Sequence, residues 1–214
     1  MKRIKNQLVL LTTASLLLFI FGFTPSSGTQ LGKTIKTSTK EINLKRVQAE
    51  VYINAPIEKV WKIVGENFAE NSAFSVNAKK TYYLKEVDGM IGSQRRTVDY
   101  KDKIIDVEIV EYDANDKHVK WEIFNMNVAP LKAGNSSYTL SSDGKGGTVL
   151  VQKAAFKMKV FFMDWVAKGK FTTLFKTQLA AIKHFTETGE SITPETKEDI
   201  VERYLNDIKV ITLE

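Results

Sequence analysis

An α+β fold, with a seven-stranded antiparallel sheet curved around one long C-terminal helix, is what three features of this 214-residue sequence predict. A strand-like segment runs straight into an amphipathic helix across residues 47–68. Six further strand-like runs, separated by short turns, follow from residue 78. One long stretch of helical periodicity comes after them, at 162–188.

The first strand alternates. Val47, Ala49, Val51 and Ile53 fall on one face, and Gln48, Glu50, Tyr52 and Asn54 on the other, which is the period of a strand with one buried side. Asn54-Ala55-Pro56 ends it. Proline has a fixed φ and no N–H, so it suits the first turn of a helix. Asn54 or Ala55 is then the cap, and Glu58 sits where the helix dipole favours an anion. Ile57, Val60, Trp61, Val64 and Phe68 recur at helical spacing, while Glu58, Lys59, Lys62 and Glu66 face outward. A second short helix is expected around 68–74, giving a small helix pair after the first strand.

The next strands are expected near 78–86, 93–100, 104–112, 117–126, 134–142 and 147–157. "VDGMIG", "YKDK", "DANDK" and "SSDGKGG" supply the Gly, Asn and Asp that tight turns need, and short connections imply antiparallel neighbours. In the long helix Val166, Phe171, Leu174, Phe175, Gln178, Ile182 and Phe185 line one face, with Gln178 its only polar member. Lys168, Lys170, Lys176, Lys183 and Glu187 lie largely off that face, and Gly189 is the expected stop. Residues 190–214 read as a helical extension, capped by Thr193, started by Pro194 and striped by Ile200, Tyr204 and Ile208. A sheet wrapped around a single helix can leave a cavity between the two.

The N-terminus has a different character. "MKRIKNQ" is basic, "LVLLTTASLLLFIFGF" (8–23) is apolar and "TPSSGTQ" is small and polar, the layout of an export signal. The apolar run is 16 residues long, a little under the roughly 20 that span a bilayer. Residues 1–28 are therefore expected to be a signal peptide or an N-terminal membrane anchor, and 29–44 a polar linker. That places the protein in the periplasm or cell envelope, with residues 8–23 available for membrane association. The net charge of +6 falls to +3 without residues 1–28, whose only ionisable side chains are Lys2, Arg3 and Lys5. Such a balance describes an ordinary solvated surface, and nucleic acid is not an expected partner. The absence of cysteine excludes disulfides, thiol catalysis and Cys-ligated metal. His118 and His184 carry no metal-ligand or triad pattern and are expected at the surface; no cofactor is implied. "NSS" at 135–137 matches a glycosylation acceptor, relevant only to a eukaryotic secretory route. "FFMDWVAKGKF" (161–171) reads as the buried start of the long helix, with interfacial insertion as the other reading.

"INAPIEKVWKIV", "GMIGSQRR" (89–96), "VEIVEYDANDKHVKWEI" (107–123), "LSSDGKGGTVLVQKAAF" (140–156) and the final helix together span about residues 46–188. In that order they resemble the SRPBCC superfamily, the START-like helix-grip fold, and within it the bacterial polyketide cyclase/dehydrase-like branch. The resemblance implies a helix-grip domain over 45–189 with a ligand pocket beneath the long helix. The superfamily includes lipid carriers, hormone receptors and aromatase/cyclases, so the fold leaves function open. It places Arg95 where the branch usually has an arginine and Trp121 where an aromatic is usual. The sequence departs from the pattern, in which an acid is frequent near Val107, a tyrosine near Gly134 and a tryptophan near Gln152. Losing two large aromatics implies a roomier or differently shaped pocket and weakens the transfer of a cyclase mechanism.

Arg95 is the leading site candidate. A guanidinium inside an apolar cavity can hold a carboxylate or phosphate bidentately; the competing reading is a solvent-facing or internally paired arginine. Trp121, Phe171 and Phe175 are expected to line the interior. Gln152, an amide among Leu150, Ala154 and Phe156 at strand spacing, and Gln178 complete the ligand-binding set. No catalytic set stands out, and Tyr138 has no visible activator. The expected function is binding or carriage of an apolar small molecule or lipid in the cavity. The alternatives are a cyclase, dehydratase or hydrolase using the same cavity, and a ligand-free module that docks a protein through its C-terminal tail.

Overall fold

The computed structural model describes residues 44–128, 131–159 and 163–213, the side chains of 163–168 and 212–213 excepted. The segment expected to be a signal or anchor, and all of the linker but Leu44, lie outside the described residues.

β1 (Lys45–Ile53) buries Val47, Ala49, Val51 and Ile53, the face its alternation predicts. α1 (Ile57–Trp61) follows, and Pro56 rather than Asn54 or Ala55 holds the cap position, with no side chain closing the turn. Asn54 is occupied elsewhere: its backbone N–H donates to the Glu187 carboxylate at 2.8 Å. The helix continues as a π turn (Lys62–Glu66), and a 3₁₀ segment (Phe68–Phe74) takes the place of the second helix. The close packing needs Gly65, because a Cβ there would lie 2.5 Å from the Trp61 ring.

Six strands follow as expected: β2 (Ala78–Lys85), β3 (Gln94–Asp99), β4 (Ile104–Asp113), β5 (His118–Met126), β6 (Leu131–Ser142) and β7 (Thr148–Met158). α2 (Met163–Thr188) comes next. Gly189 ends it with φ +79°, and its N–H returns to the Phe185 carbonyl at 2.8 Å, the left-handed cap that glycine adopts without strain.

The tail corrects the strand count. α3 (Lys197–Tyr204) and a short 3₁₀ turn lead into β8 (Ile208–Leu213), which pairs antiparallel with the free edge of β1. The sheet therefore has eight strands, in the order β2-β3-β4-β5-β6-β7-β1-β8, rather than seven. Ile200, Tyr204 and Ile208 are buried as the stripe predicts, but Ile208 begins a strand instead of ending a helix. Thr193 does not cap the helix; it exchanges backbone N–H to hydroxyl bonds with Thr196, which holds the cap position.

The tail also changes the surroundings of α2. The helix packs on β1 and β7 and on α3 and β8. From Leu179 to His184 every side chain is buried, including Lys183 and His184. His184, expected at the surface, is 3% exposed. The Lys183 ammonium is satisfied in this setting, because its Nζ donates to the Tyr52 carbonyl and to Glu187, both at 2.8 Å. His118 is half-buried between Thr139 and Glu111. No helix among the described residues is long and apolar enough to cross a membrane.

Candidate ligand cavity

Between the concave face of the sheet and the first half of α2 lies a cavity of about 500 Å³, a size typical of small-molecule sites. Ile105, Val107, Ile123 and Phe156 give it an apolar wall. It remains open because the facing positions of β6 and β7 are small: Gly134, Ser136 and Ala154 all border it. At Gly134 the space is tight on one side, where a Cβ would meet the Ile123 methyl at 3.2 Å. Both positions at which large aromatics are missing, Gly134 and Gln152, therefore lie on the cavity wall.

The six residues expected to bind ligand, Arg95, Trp121, Gln152, Phe171, Phe175 and Gln178, all line this one cavity. From α2, Phe171 stacks on Phe156 with ring centroids 3.8 Å apart and lies 6.2 Å from Phe175. Leu174, placed on the buried face by its spacing, borders the cavity but is 39% exposed. Tyr138 and Asn71 belong to the wall as well. Tyr138 shares strand parity with Gly134, which was a usable signal; Asn71 lies in an irregular segment with no periodicity to reveal it.

Arg95 enters from β3 and is 7% exposed. Its guanidinium lies over the Phe68 ring at 4.2 Å, its Nη1 donates to the Phe68 carbonyl, and its Nε has no partner. Among the described residues no carboxylate pairs with it. Strand alternation explains the difference from its neighbour. Arg96, on the other face, binds Asp106 through two contacts of 2.7 and 2.8 Å, and Asn125 donates to the same carboxylate. Burial lowers the Arg95 pKa from 12.5 to about 10, against the opposing influence of Tyr138 and Tyr83. The side chain thus carries its charge at neutral pH.

Tyr138 packs edge-on against Trp121, with centroids 5.0 Å apart. Burial pushes its phenol well above the ordinary value, while Arg95 and a hydrogen bond with Gln178 pull the other way. It can donate a hydrogen bond here but is not a base. Gln178 Nε2 donates to the Phe74 carbonyl at 3.2 Å, tying α2 to the 3₁₀ segment. Gln152 is 5% exposed; its Nε2 donates to the Ser136 hydroxyl at 3.3 Å, and its Oε1 has no partner. Asn71 Oδ1 is also buried without one. A side pocket of about 20 Å³ adjoins Arg95 and Asn71; it has room for one water, which neutralises no charge. Asn135 of the "NSS" triplet lies within β6 and borders the cavity, a poor position for a glycan acceptor. Of the 161–171 segment read as interfacial, the side chains of 161–168 lie outside the described residues. Among the described residues no cluster of three or more metal-ligating side chains is present.

A curved antiparallel sheet closed over one long helix, with an apolar cavity between them, defines a helix-grip protein. The family model described as polyketide cyclase / dehydrase and lipid transport matches residues 45–184, and the chain belongs to that family, within the START-like SRPBCC superfamily. Solved structures agree in fold. A START superfamily protein from Mycobacterium smegmatis superposes with a TM-score of 0.56 at 14% identity, covering 67% of this chain and 97% of its own. An uncharacterised protein from Bacillus thuringiensis gives 0.56 at 15% identity, covering 66% and 98%. Ara h 8.0201 gives 0.53 at 15% identity, covering 68% and 99%. No curated protein matches the sequence significantly. The family match ends at 184, before α3 and β8.

Proposed function

We propose that the protein binds and carries an apolar small molecule or lipid in this cavity, with the ligand's polar end held at Arg95 and Gln152, and that it works in the cell envelope. One observation carries the reading: Arg95, Gln152 and Asn71 line one largely apolar cavity, and each holds a buried side-chain atom (Nε, Oε1 and Oδ1) without a partner among the described residues. Each such atom costs about 1–3 kcal/mol when nothing bonds it. A ligand with a polar end offsets that cost, and burial of its apolar body contributes near 25 cal/mol per Å² before ordering losses. Because Arg95 brings a charge that no carboxylate among the described residues meets, the favoured polar end is an anion. The lipid transport named in the family's description supports carriage.

Two features weigh against the alternatives. Among the described residues, the ionisable side chains bordering the cavity are Arg95, Asp99, Lys103 and Tyr138, and burial moves Tyr138 away from neutrality instead of towards it, so these residues offer no pair tuned for general acid–base work near neutral pH. The tail that would dock a partner is folded against its own domain, with Ile200, Tyr204 and Ile208 buried there. Placement in the envelope rests on the basic and apolar layout of residues 2–23. The test uses a fluorescent fatty acid that brightens in apolar surroundings. The unmodified protein should bind about one equivalent. Gln152→Trp should abolish binding by filling the cavity, while circular dichroism and the melting transition are retained. Failure of the unmodified protein to take up the probe would sink the carrier reading.

A further inference from the structure

We infer that the end of the domain where the cavity opens docks on an anionic lipid bilayer. The two ends of the sheet differ. At one end β1 and β6 begin, β3, β5 and β7 finish, and the β3–β4 turn lies. Lys103, Val128 and Leu174, exposed or partly exposed, border the cavity towards this end, and the cavity is taken to open there. Tyr100, in that turn, is 55% exposed and Leu174 is 39% exposed, so apolar surface stands at the opening.

Among the described residues the charge at this end is predominantly basic. Lys45, Lys101, Lys103, Lys132 and Lys159 are all exposed there. The two acids of the turn are already engaged: Asp99 accepts the backbone N–H groups of Lys101 and Lys103 at 2.7 and 2.8 Å, and Asp102 pairs with Lys79 at 3.4 Å. The turns at the opposite end carry Asp88, Asp113, Asp116 and Asp143, beside Lys117 and Lys145. A basic rim around an apolar opening complements a surface that is negative at the headgroups and apolar beneath, where each lysine contributes roughly five-fold in affinity. β1 also starts at this end. The inference goes beyond the carrier reading and can fail while the cavity still binds a ligand.

The chain has no cysteine, so single reporters can be introduced into the full-length protein. Tyr100→Cys marks the basic end and Asp116→Cys the opposite one, each labelled with a polarity-sensitive dye. Vesicles are phosphatidylcholine alone or phosphatidylcholine mixed with phosphatidylglycerol. On the anionic vesicles the label at 100 should shift to the blue and be shielded from an aqueous quencher, while the label at 116 stays in water. Changing Lys101 and Lys103 together to glutamine should raise the anionic vesicle concentration needed by roughly twenty-five-fold. A label at 100 that stays in water, or labels that respond alike at both ends, would overturn the inference. An N-terminal anchor acting alone gives the former result.

Discussion

Arg95→Met isolates the buried charge. The substitution keeps a long side chain over Phe68 and removes the guanidinium. One pKa unit corresponds to about 1.4 kcal/mol, so a drop from 12.5 to about 10 marks a charge that the fold holds at a cost of about 3 kcal/mol. Below pH 10 both folded and unfolded chains carry the proton, so the full cost applies at neutrality. Against its removal stand the Phe68 carbonyl, left without its donor at about 1–3 kcal/mol, and the cation–π contact, worth about 0.5–2 kcal/mol. These terms nearly cancel. The unliganded variant should therefore unfold in urea within about 2 kcal/mol of the parent, whereas truncating an ordinary buried side chain costs about 2–5 kcal/mol. Its affinity for a long-chain fatty acid should fall by about 1.5–3 kcal/mol, the worth of a hydrogen bond to a charged group, or roughly ten- to hundred-fold. The alcohol of the same chain length should bind both proteins alike. A loss above about 3 kcal/mol of stability without ligand would show that the charge is satisfied inside the fold. Equal losses for acid and alcohol would show that the site does not read charge.

Burial, and to a smaller extent Arg203, holds the His184 pKa below its ordinary 6.5, with Glu190 and Glu187 opposing. The folded ring stays neutral while the unfolded chain takes up a proton, so stability should be full above about pH 6.5 and fall as the pH drops from there; His184→Gln should flatten this part of a urea-midpoint profile, and a parent profile level from about pH 7 to 5 would contradict the reasoning. Intact-mass measurement of protein from the envelope fraction should find a chain starting near residues 24–30 or one that retains 8–23, and full-length protein in the soluble cytoplasm would refute the proposed location.

The strands were readable because local pattern and tertiary role agree in them. β1 alternates and is buried on that alternation, and the runs from 78 onward fall between turn residues that match their connections. The tail was not readable for a physical reason. Ile200, Tyr204 and Ile208 are spaced for a helix, but Ile208-Lys-Val-Ile-Thr-Leu also suits a strand. What decides between them is the unpaired edge of β1, which lies some 160 positions away in sequence. That one misreading carried others with it. Once α3 and β8 cover the second side of α2, Lys183 and His184 become interior residues, although their positions on the helix mark them as outward.

The site divides along the same line. Strand parity places Arg95 and Arg96 on opposite faces but does not say which one meets an acid. Asp106 settles that from β4, and the registers of β3, β4 and β5 bring Arg96, Asp106 and Asn125 together on the outer face. Arg95 is left with an aromatic ring and a single carbonyl. Apolar walls alone do not distinguish a pocket from a core, because Phe156, Phe171 and Phe175 would serve either. The distinction lies in polar groups that the fold buries and does not satisfy. Such groups lower the stability of the empty protein, and a ligand that satisfies them is bound more tightly by the same margin. On this ground Arg95 and Gln152 are proposed as ligand contacts under the carrier reading: a core built for stability alone would carry apolar side chains at both positions.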